Sequence, residues 1–373
     1  MSTINVDIVN PQSATAVTVN GVNLSSPNSD PTNIAIACVP TSVAITSHNN
    51  TLIGGGAAGG LTTGYQNTAI GTYACQALTT GFNNTAVGMN PLFSNTTGSN
   101  NVAIGANALK LSTNSSNNTA IGVQAMENSV GNTQSVAIGN QALQAGAGFS
   151  VAVGNTSAAS STVGITAIGN KALQSSTGIN NTAVGASAGL NVTTGTNTTL
   201  IGTGAGAGNT ITGVGNTCLG SSAGGFVNSG NNNTCLGYLS QLSSSGASNE
   251  FVLGNSSVAV LLCAQTSITS ISDARDKKEI KTLSAGLEFV NTLKPVEFIW
   301  DDRDENGRHN VPDFGFIAQD LKKSQEDAKL ADTLKLVYEA NPDKLQASYG
   351  KLVTILVKAI QDLSKEIETL KSK

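Results

Sequence analysis

Apolar and small polar residues recur along most of this 373-residue chain in one phrase, Asn-Thr-Ala-Ile-Gly or a close variant. It reads Asn50-Thr-Leu-Ile-Gly54, Asn67-Thr-Ala-Ile-Gly71, Asn84-Thr-Ala-Val-Gly88, Asn101-Val-Ala-Ile-Gly105, Asn118-Thr-Ala-Ile-Gly122 and Ser135-Val-Ala-Ile-Gly139, and continues through glycines at 154, 169, 185, 202, 220, 237 and 254. The 13 copies are spaced by 17, 17, 17, 17, 17, 15, 15, 16, 17, 18, 17 and 17 residues. A period this short cannot enclose a domain, so each copy is one coil that buries its apolar face by stacking on its neighbours. Within a coil, the aliphatic residue before each Gly is expected to form an inward column. Pairs such as Ala108-Leu109, Ala125-Met126, Ala142-Leu143 and Ala172-Leu173 form a second one. The Gly permits a tight turn between two short strands, and the Asn or Ser four residues earlier can stack as a side-chain ladder. At about 4.8 Å per coil, 13 coils make a shaft of roughly 60 Å.

The pattern differs at both ends. Residues 1–48 read as short strands (Asn5-Val-Asp-Ile-Val, Ala16-Val-Thr-Val, Ile34-Ala-Ile-Ala, Val43-Ala-Ile) broken by Asn, Pro and Gly, which suits a cap or attachment module. Beyond residue 272 the spacing becomes that of a small α+β unit. Ser284 is placed to cap a short helix carrying Leu287, Val290 and Leu293 and ended by Pro295, followed by a strand at Val296–Trp300. Phe314–Leu321 reads as a strand passing into a helix, and Leu334–Tyr338 with Leu345–Ser348 as a hairpin around Asn341-Pro-Asp-Lys. The last 25 residues carry Val353, Ile360 and Ile367 at heptad position a and Tyr349, Leu356, Leu363 and Leu370 at d, a seam that predicts self-association. The expected organisation is residues 1–48 as an N-terminal module, 49–262 as shaft, 263–271 as linker and 272–373 as C-terminal domain. The fold class is mostly β: a β-solenoid of about 13 coils, then a small α+β domain ending in a long coiled-coil helix.

Charge sharpens that boundary. Residues 1–271 hold only Lys110 and Lys171 against Asp7, Asp30, Glu127 and Glu250; the other 17 basic and 19 acidic side chains follow residue 272. So abrupt a change in composition marks a domain boundary. Aromatic content of 4% and 41 glycines exclude one large core of bulky side chains. The net charge of -4 offers no basic surface to nucleic acid or anionic lipid. No apolar run approaches the roughly 20 residues that cross a bilayer, and Met1-Ser-Thr-Ile-Asn-Val-Asp lacks the features of a secretion signal, so synthesis and folding in a cytoplasm are expected.

Several apparent sites dissolve. Cys38, Cys75, Cys218, Cys235 and Cys263 form no disulfide framework; Cys218 and Cys235 share a repeat position and read as apolar filler, with a bridge as the alternative. His48 and His309 stand alone, so no metal site and no cofactor is expected. Gly202-Thr-Gly-Ala-Gly-Ala-Gly208 lacks the Gly-Lys-Ser/Thr ending of a phosphate loop and reads as repeat turns. The Thr column could order water or ice but is interrupted by Val102, Val136 and Val151. Asp302-Arg-Asp-Glu-Asn306-Gly307 with Asp313 fits most of a calcium loop, yet contains Pro312 and ends in Asp, and reads as a solvated hairpin loop.

Chemistry concentrates in Ser272-Asp-Ala-Arg-Asp-Lys277, where a hydroxyl and an amine stand five residues apart. That spacing puts them on different faces of a regular helix or strand, so the hexapeptide must bend or the pair must form between subunits. A lysine acts as a base only when neutral, which burial or a cationic neighbour favours; Arg275 is a candidate neighbour. Attack of Ser272 on the carbonyl of Ile271 would cut Ile271–Ser272, with Ser272–Asp273 the alternative bond.

The repeat phrase over residues 50–254 resembles the head repeats of trimeric autotransporter adhesins and the β-roll repeats of viral fibres, which implies a homotrimer. Ser272-Asp-x-Arg-x-Lys277, Leu293-Lys-Pro-Val-Glu-Phe-Ile-Trp300, Phe314-Gly-Phe-Ile-Ala-Gln-Asp320 and a Tyr349-led terminal helix, in that order, resemble the C-terminal intramolecular chaperone of phage tailspikes and tail fibres, best known from endosialidases. The resemblance implies a domain that drives trimerisation of the fibre and then cuts itself off, a single-turnover self-cleaving serine peptidase with Ser272 as nucleophile, Lys277 as base, and Asp273 and Arg275 in support. The expected protein is thus a fibre or spike subunit of a virion, assembled in the host cytoplasm. Its N-terminus would join other tail components and its shaft would meet a host-surface receptor or glycan, without nucleic acid or membrane insertion. The alternatives are a bacterial trimeric surface adhesin with a non-cleaving trimerisation domain and a membrane-tethered regulator released by the same kind of domain. These need a secretion signal with a C-terminal barrel, and a transmembrane helix with a DNA-binding domain.

Overall fold

The computed structural model describes residues 17–19, 22–25, 34–36, 47–129, 131–146, 148–161, 163–258, 260–262, 272–301, 310–339, 341–343 and 345–373. The strands expected at 5–9 and 43–45, Cys38, Cys263, the linker 263–271 with Ile271, and loop 302–309 lie outside these residues. The chain divides into two units, Met1–Leu253 and Gly254–Lys373.

In the first unit, β1 (Val17–Val19), β2 (Val22–Ser25) and β3 (Ile34–Ile36) form an antiparallel start. Then β3 pairs in parallel with β4 (Thr51–Ile53) and the repeat begins. One three-residue strand follows at every copy of the phrase: β5 (Thr68–Ile70), β6 (Thr85–Val87), β7 (Val102–Ile104), β8 (Thr119–Ile121), β9 (Val136–Ile138), β10 (Val151–Val153), β11 (Thr166–Ile168), β12 (Thr182–Val184), β13 (Thr199–Ile201), β14 (Thr217–Leu219), β15 (Thr234–Leu236) and β16 (Phe251–Leu253). Like stacks on like, Thr51 on Thr68 and Ile53 on Ile70, in one parallel sheet of a solenoid of about twelve turns.

Two expectations about the coil need correction. Among the described residues a coil holds one strand, not two. The rest is consecutive turns tied to the next coil by backbone bonds such as Ala58 N to Ala74 O (2.8 Å), with isolated bridges at Ser116–Thr133 and Val192–Ile211. Left-handed residues such as Asn107 (φ 59°) and Leu109 (φ 51°) recur there and break the extended backbone. The inward column is also not the residue before the Gly. Strand side chains alternate, so a three-residue strand points only its middle residue inward. Ala69, Ala86, Ala103 and Ala120 are therefore fully buried, while Ile104, Ile138, Ile168 and Leu219 are 37–44% exposed.

The second column is where the phrase places it: Ala108, Leu109, Ala125, Met126, Ala142 and Leu143 are all buried. Its volume is balanced within each coil. Where the residue four past the Gly is large (Leu109, Met126, Leu173), the one seven past it is Ser112, Ser129 or Ser176; where it is small (Ala58, Cys75, Gly189), Leu61, Leu78 or Val192 takes over. The coil with Ala158 and Ser161 recovers its volume from Ile165 in the Asn column. Close packing in so narrow an interior admits little more or less.

The Asn ladder sets coil length. Asn118 Nδ2 donates to Asn101 Oδ1 (3.2 Å) and across the interior to Asn132 O (2.9 Å), fourteen residues on, while Ser135 N donates to Asn118 Oδ1 (3.1 Å). The hydroxyls of Ser135 and Ser150 donate instead to the carbonyls of Thr133 and Gly148, two residues back, and the two 15-residue spacings follow them. Successive glycines stack so closely that a Cβ on Gly122 (φ 138°) would lie 2.4 Å from Gly139 O. Cys75, Cys218 and Cys235 are free and buried, and burial pushes the Cys75 thiol up to about 12. Cys218 and Cys235 are register partners in β14 and β15, and that contact together with burial raises the Cys218 thiol.

In the second unit, α1 (Leu287–Val290), an antiparallel pair β17 (Pro295–Ile299) and β18 (Pro312–Phe316), α2 (Ala318–Asp327), α3 (Ala331–Leu334), the short pair β19 (Val337–Tyr338) and β20 (Gln346–Ala347), and α4 (Leu352–Lys371) follow in order. Ala285, Phe289, Leu334, Leu336, Leu352 and Ile355 form its core. Ser284 does not cap α1: the N-cap is Gly286, and Leu287 N instead donates to Asp362 Oδ2 of α4 (3.4 Å). Pro295 begins β17 instead of merely ending α1.

Candidate functional site

Ser272 opens the described part of the second unit after residue 262, and the five residues after it bend sharply. Asp273 caps a 3₁₀ turn at Ala274–Asp276, its carboxylate accepting from Arg275 N (2.9 Å). Lys277 closes the turn in extended geometry, with its N–H on Ala274 O (3.2 Å). Three residues per turn carry the chain back over itself more tightly than an α-helix would. The Lys277 side chain thereby returns to the start of the segment: Nζ lies 2.5 Å from Ser272 Oγ and 3.0 Å from Ser272 O. The bend therefore occurs within one chain.

The two residues expected in support face each other. Arg275 faces Asp273, with Nε 3.1 Å from both carboxylate oxygens and Nη2 2.6 Å from Oδ2. That guanidinium, helped by the backbone N–H of Arg275, holds the Asp273 carboxyl below the usual range, and the carboxylate raises the guanidinium in return. The pair spans the 3₁₀ turn at its exposed side. Ser272, Asp273, Arg275 and Lys277 are all exposed to solvent in the single chain.

The heptad seam is exposed too. Helix α4 has two apolar faces: Leu352, Ile355 and Ala359 are buried, α4 lying against α1, whereas Val353, Leu356, Ile360, Leu363, Ile367 and Leu370 are open to solvent. Tyr349, counted at d, lies in the 3₁₀ turn before α4. Its hydroxyl accepts from Phe316 N (3.1 Å), tying the end of β18 to the helix start. Beside the seam, Pro295, Val296, Phe314, Phe316, Tyr349 and Leu352 line an apolar groove of about 640 Å³. Two positioning residues had no sequence signal: Asp362, which holds α1 and pairs with Lys358, and buried Gln325, whose Oε1 accepts from Leu336 N (2.9 Å). Both act on groups close only in the folded unit.

Residues 272–330 match the family model described as chaperone of endosialidase. The match begins at Ser272, includes Lys277, and stops before α3 and α4. No curated protein matches the chain.

Proposed function

We propose that residues 272–373 act in this chain as a chaperone of the endosialidase type: they gather three copies of a viral fibre or tailspike subunit, and Ser272 and Lys277 then release them from the shaft. The observation that carries this is the 2.5 Å contact between Ser272 Oγ and Lys277 Nζ, at the first residues of the matched segment. The exposed a/d seam of α4 supports association, because six aliphatic side chains at heptad spacing are buried only against other copies. Lys277 is exposed in the single chain, and a neighbouring copy in a trimer can cover it; burial is what favours the neutral form of a lysine.

The reaction is an acyl transfer followed by hydrolysis. Ser272 Oγ bonds to the carbonyl carbon of Ile271 as its proton passes to Lys277 Nζ. The Ile271 C–Ser272 N bond then breaks, and the ammonium returns the proton to the departing Ser272 amine. The Ile271 acyl group is left as an ester on Oγ. Water hydrolyses the ester to an Ile271 carboxylate and the free Ser272 hydroxyl. This attack passes through a five-membered ring, whereas attack of Oγ on its own carbonyl, to cut Ser272–Asp273, needs a four-membered one. Parallel coils register slowly because their contacts are non-local, so a C-terminal clamp aligns the chains first. Its removal leaves the shaft kinetically trapped. The shaft then serves attachment in a virion, joined to other tail components by its N-terminus and meeting the host surface along its length.

Intact mass of the purified full chain, denatured and reduced, tests this beside Ser272→Ala and Lys277→Ala. The expected result is a wild type divided between residues 271 and 272 and both variants whole. A wild type left whole while trimeric, or variants that cut as the wild type does, would overturn it.

A further inference from the structure

We infer that Cys218 and Cys235 are a modification site: oxidation by a small-molecule disulfide closes them into a bridge between successive coils, which staples the C-terminal end of the shaft. This goes beyond the chaperone reading and holds whether or not residues 272–373 are released.

The inward residue at the middle of each strand is Ala in every coil from Ala69 to Ala183, and then Leu200, Cys218, Cys235 and Val252. Any of these fills the narrow interior, so packing by itself accounts for either cysteine. Their placement side by side adds a chemistry that filling does not need. The two are register partners in the parallel strands β14 and β15. Parallel neighbours in register lie about 4.8 Å apart at their Cα atoms, inside the roughly 4.4–6.8 Å that a disulfide spans. Both side chains enter the same interior, both are buried and both are free thiols. Cys75 shares its repeat position with Ala58 and Leu92 of the flanking coils, so no second thiol stands beside it among the described residues.

Position along the shaft gives the bridge its effect. A solenoid coil is held by its neighbours, and β16 ends the described sheet with a partner on one side alone. Its inward residue, Val252, is only half-buried, whereas Cys218 and Cys235 are enclosed. Opening from this end parts β15 from β16 and then β14 from β15. A bond from Cys218 to Cys235 closes a 17-residue loop across the second of these interfaces and removes conformations from the opened chain.

Burial shields both sulfurs while the coils are closed. On opening, the thiolate of one cysteine attacks a sulfur of the small disulfide, forming a mixed disulfide and expelling one small thiolate. The other cysteine, as its thiolate, attacks the protein sulfur of that mixed disulfide and expels the second small thiolate. The two protons lost by the cysteines end on the two small thiolates. Two protein thiols and one small disulfide thus become one protein disulfide and two small thiols.

Oxidised glutathione is the probe, applied to the full chain carrying Cys263→Ser. No Lys or Arg lies between Lys171 and Arg275, so trypsin leaves Cys218 and Cys235 in one peptide that starts at Ala172, with no other cysteine in this background. Exposure lasts until the Thr234–Leu236 amides have exchanged with heavy water, which shows that the coils have opened. The chain is then unfolded, alkylated and digested. The expected peptide is about 2 Da lighter than its reduced form and takes no alkyl group until dithiothreitol is added. Exchange at Thr234–Leu236 in the oxidised chain should be about a hundredfold slower, with a segment around Asn101 unmoved. Cys218→Ala and Cys235→Ala, which place the residue of most coils in the column, should each lose both effects. Two alkylated thiols, glutathione retained on either cysteine without a bridge, or a bridge that leaves exchange unchanged would overturn the inference. Cys263→Ala repeats the test, should the first background misfold.

Discussion

Asn118 is the place to test whether the amide ladder holds the solenoid. Its side chain is buried and makes three contacts between coils: two donated, to Asn101 Oδ1 and Asn132 O, and one accepted, from Ser135 N. Asn118→Ala leaves the Ser135 N–H and the Asn132 carbonyl unpaired in the interior. Each orphan costs about 1–3 kcal/mol, together about 4 kcal/mol. Asn118→Ser costs less, because a serine in this column still accepts from the next coil, as Ser135 does from Ser150 N (3.3 Å). The carbonyl fourteen residues on remains beyond its reach, so about 2 kcal/mol is lost. Coil stabilities in a solenoid are nearly local, so the loss is best read at the coil itself. The assay is hydrogen exchange of the segment around Ser135, compared with a distant segment around Asn233. Opening should become about a thousandfold easier in the Ala variant and some tenfold to thirtyfold easier in the Ser variant, with the distant segment unmoved. Equal protection in wild type and Ala variant, or identical behaviour of Ser and Ala, would refute the ladder's role.

Two further outcomes follow from the packing. Leu109→Ala should destabilise the shaft by about 2–5 kcal/mol, and adding Ser112→Leu should recover most of it, because volume moves between those two positions from coil to coil; thermal denaturation of the three chains checks this, and no rescue would break the compensation rule. Lys358, helped by the Leu287 N–H, holds the Asp362 carboxyl below its ordinary value. A depressed pKa means a contribution fully present above the unfolded value of about 3.9 and lost as pH falls through the lower folded value. Thermal melts of the C-terminal unit between pH 5 and pH 2 should show that loss, and Asp362→Asn should remove the step; a step that persists in the variant would assign it elsewhere.

Much of this architecture is legible in the residues because it is local and repeated. The period fixes the coil, the buried Asn column is written at the same place in most phrases, and the shorter spacings begin where Ser135 replaces Asn. The heptads of α4 likewise need only a helix to become a stripe. What failed to read through is directional. Thr-Ala-Ile names three residues suited to a strand but not which two face out, and the narrow interior decided that by admitting the Ala and turning the Ile away. The approach of Ser272 to Lys277 depended on one 3₁₀ turn, capped by Asp273. Asp362 holding α1 depended on two helices meeting 75 residues apart. Periodicity reports what repeats along the chain. Facing, bending and long-range capping are settled only when interior volume and unpaired backbone groups compete for the same space, and that competition exists only in the folded molecule.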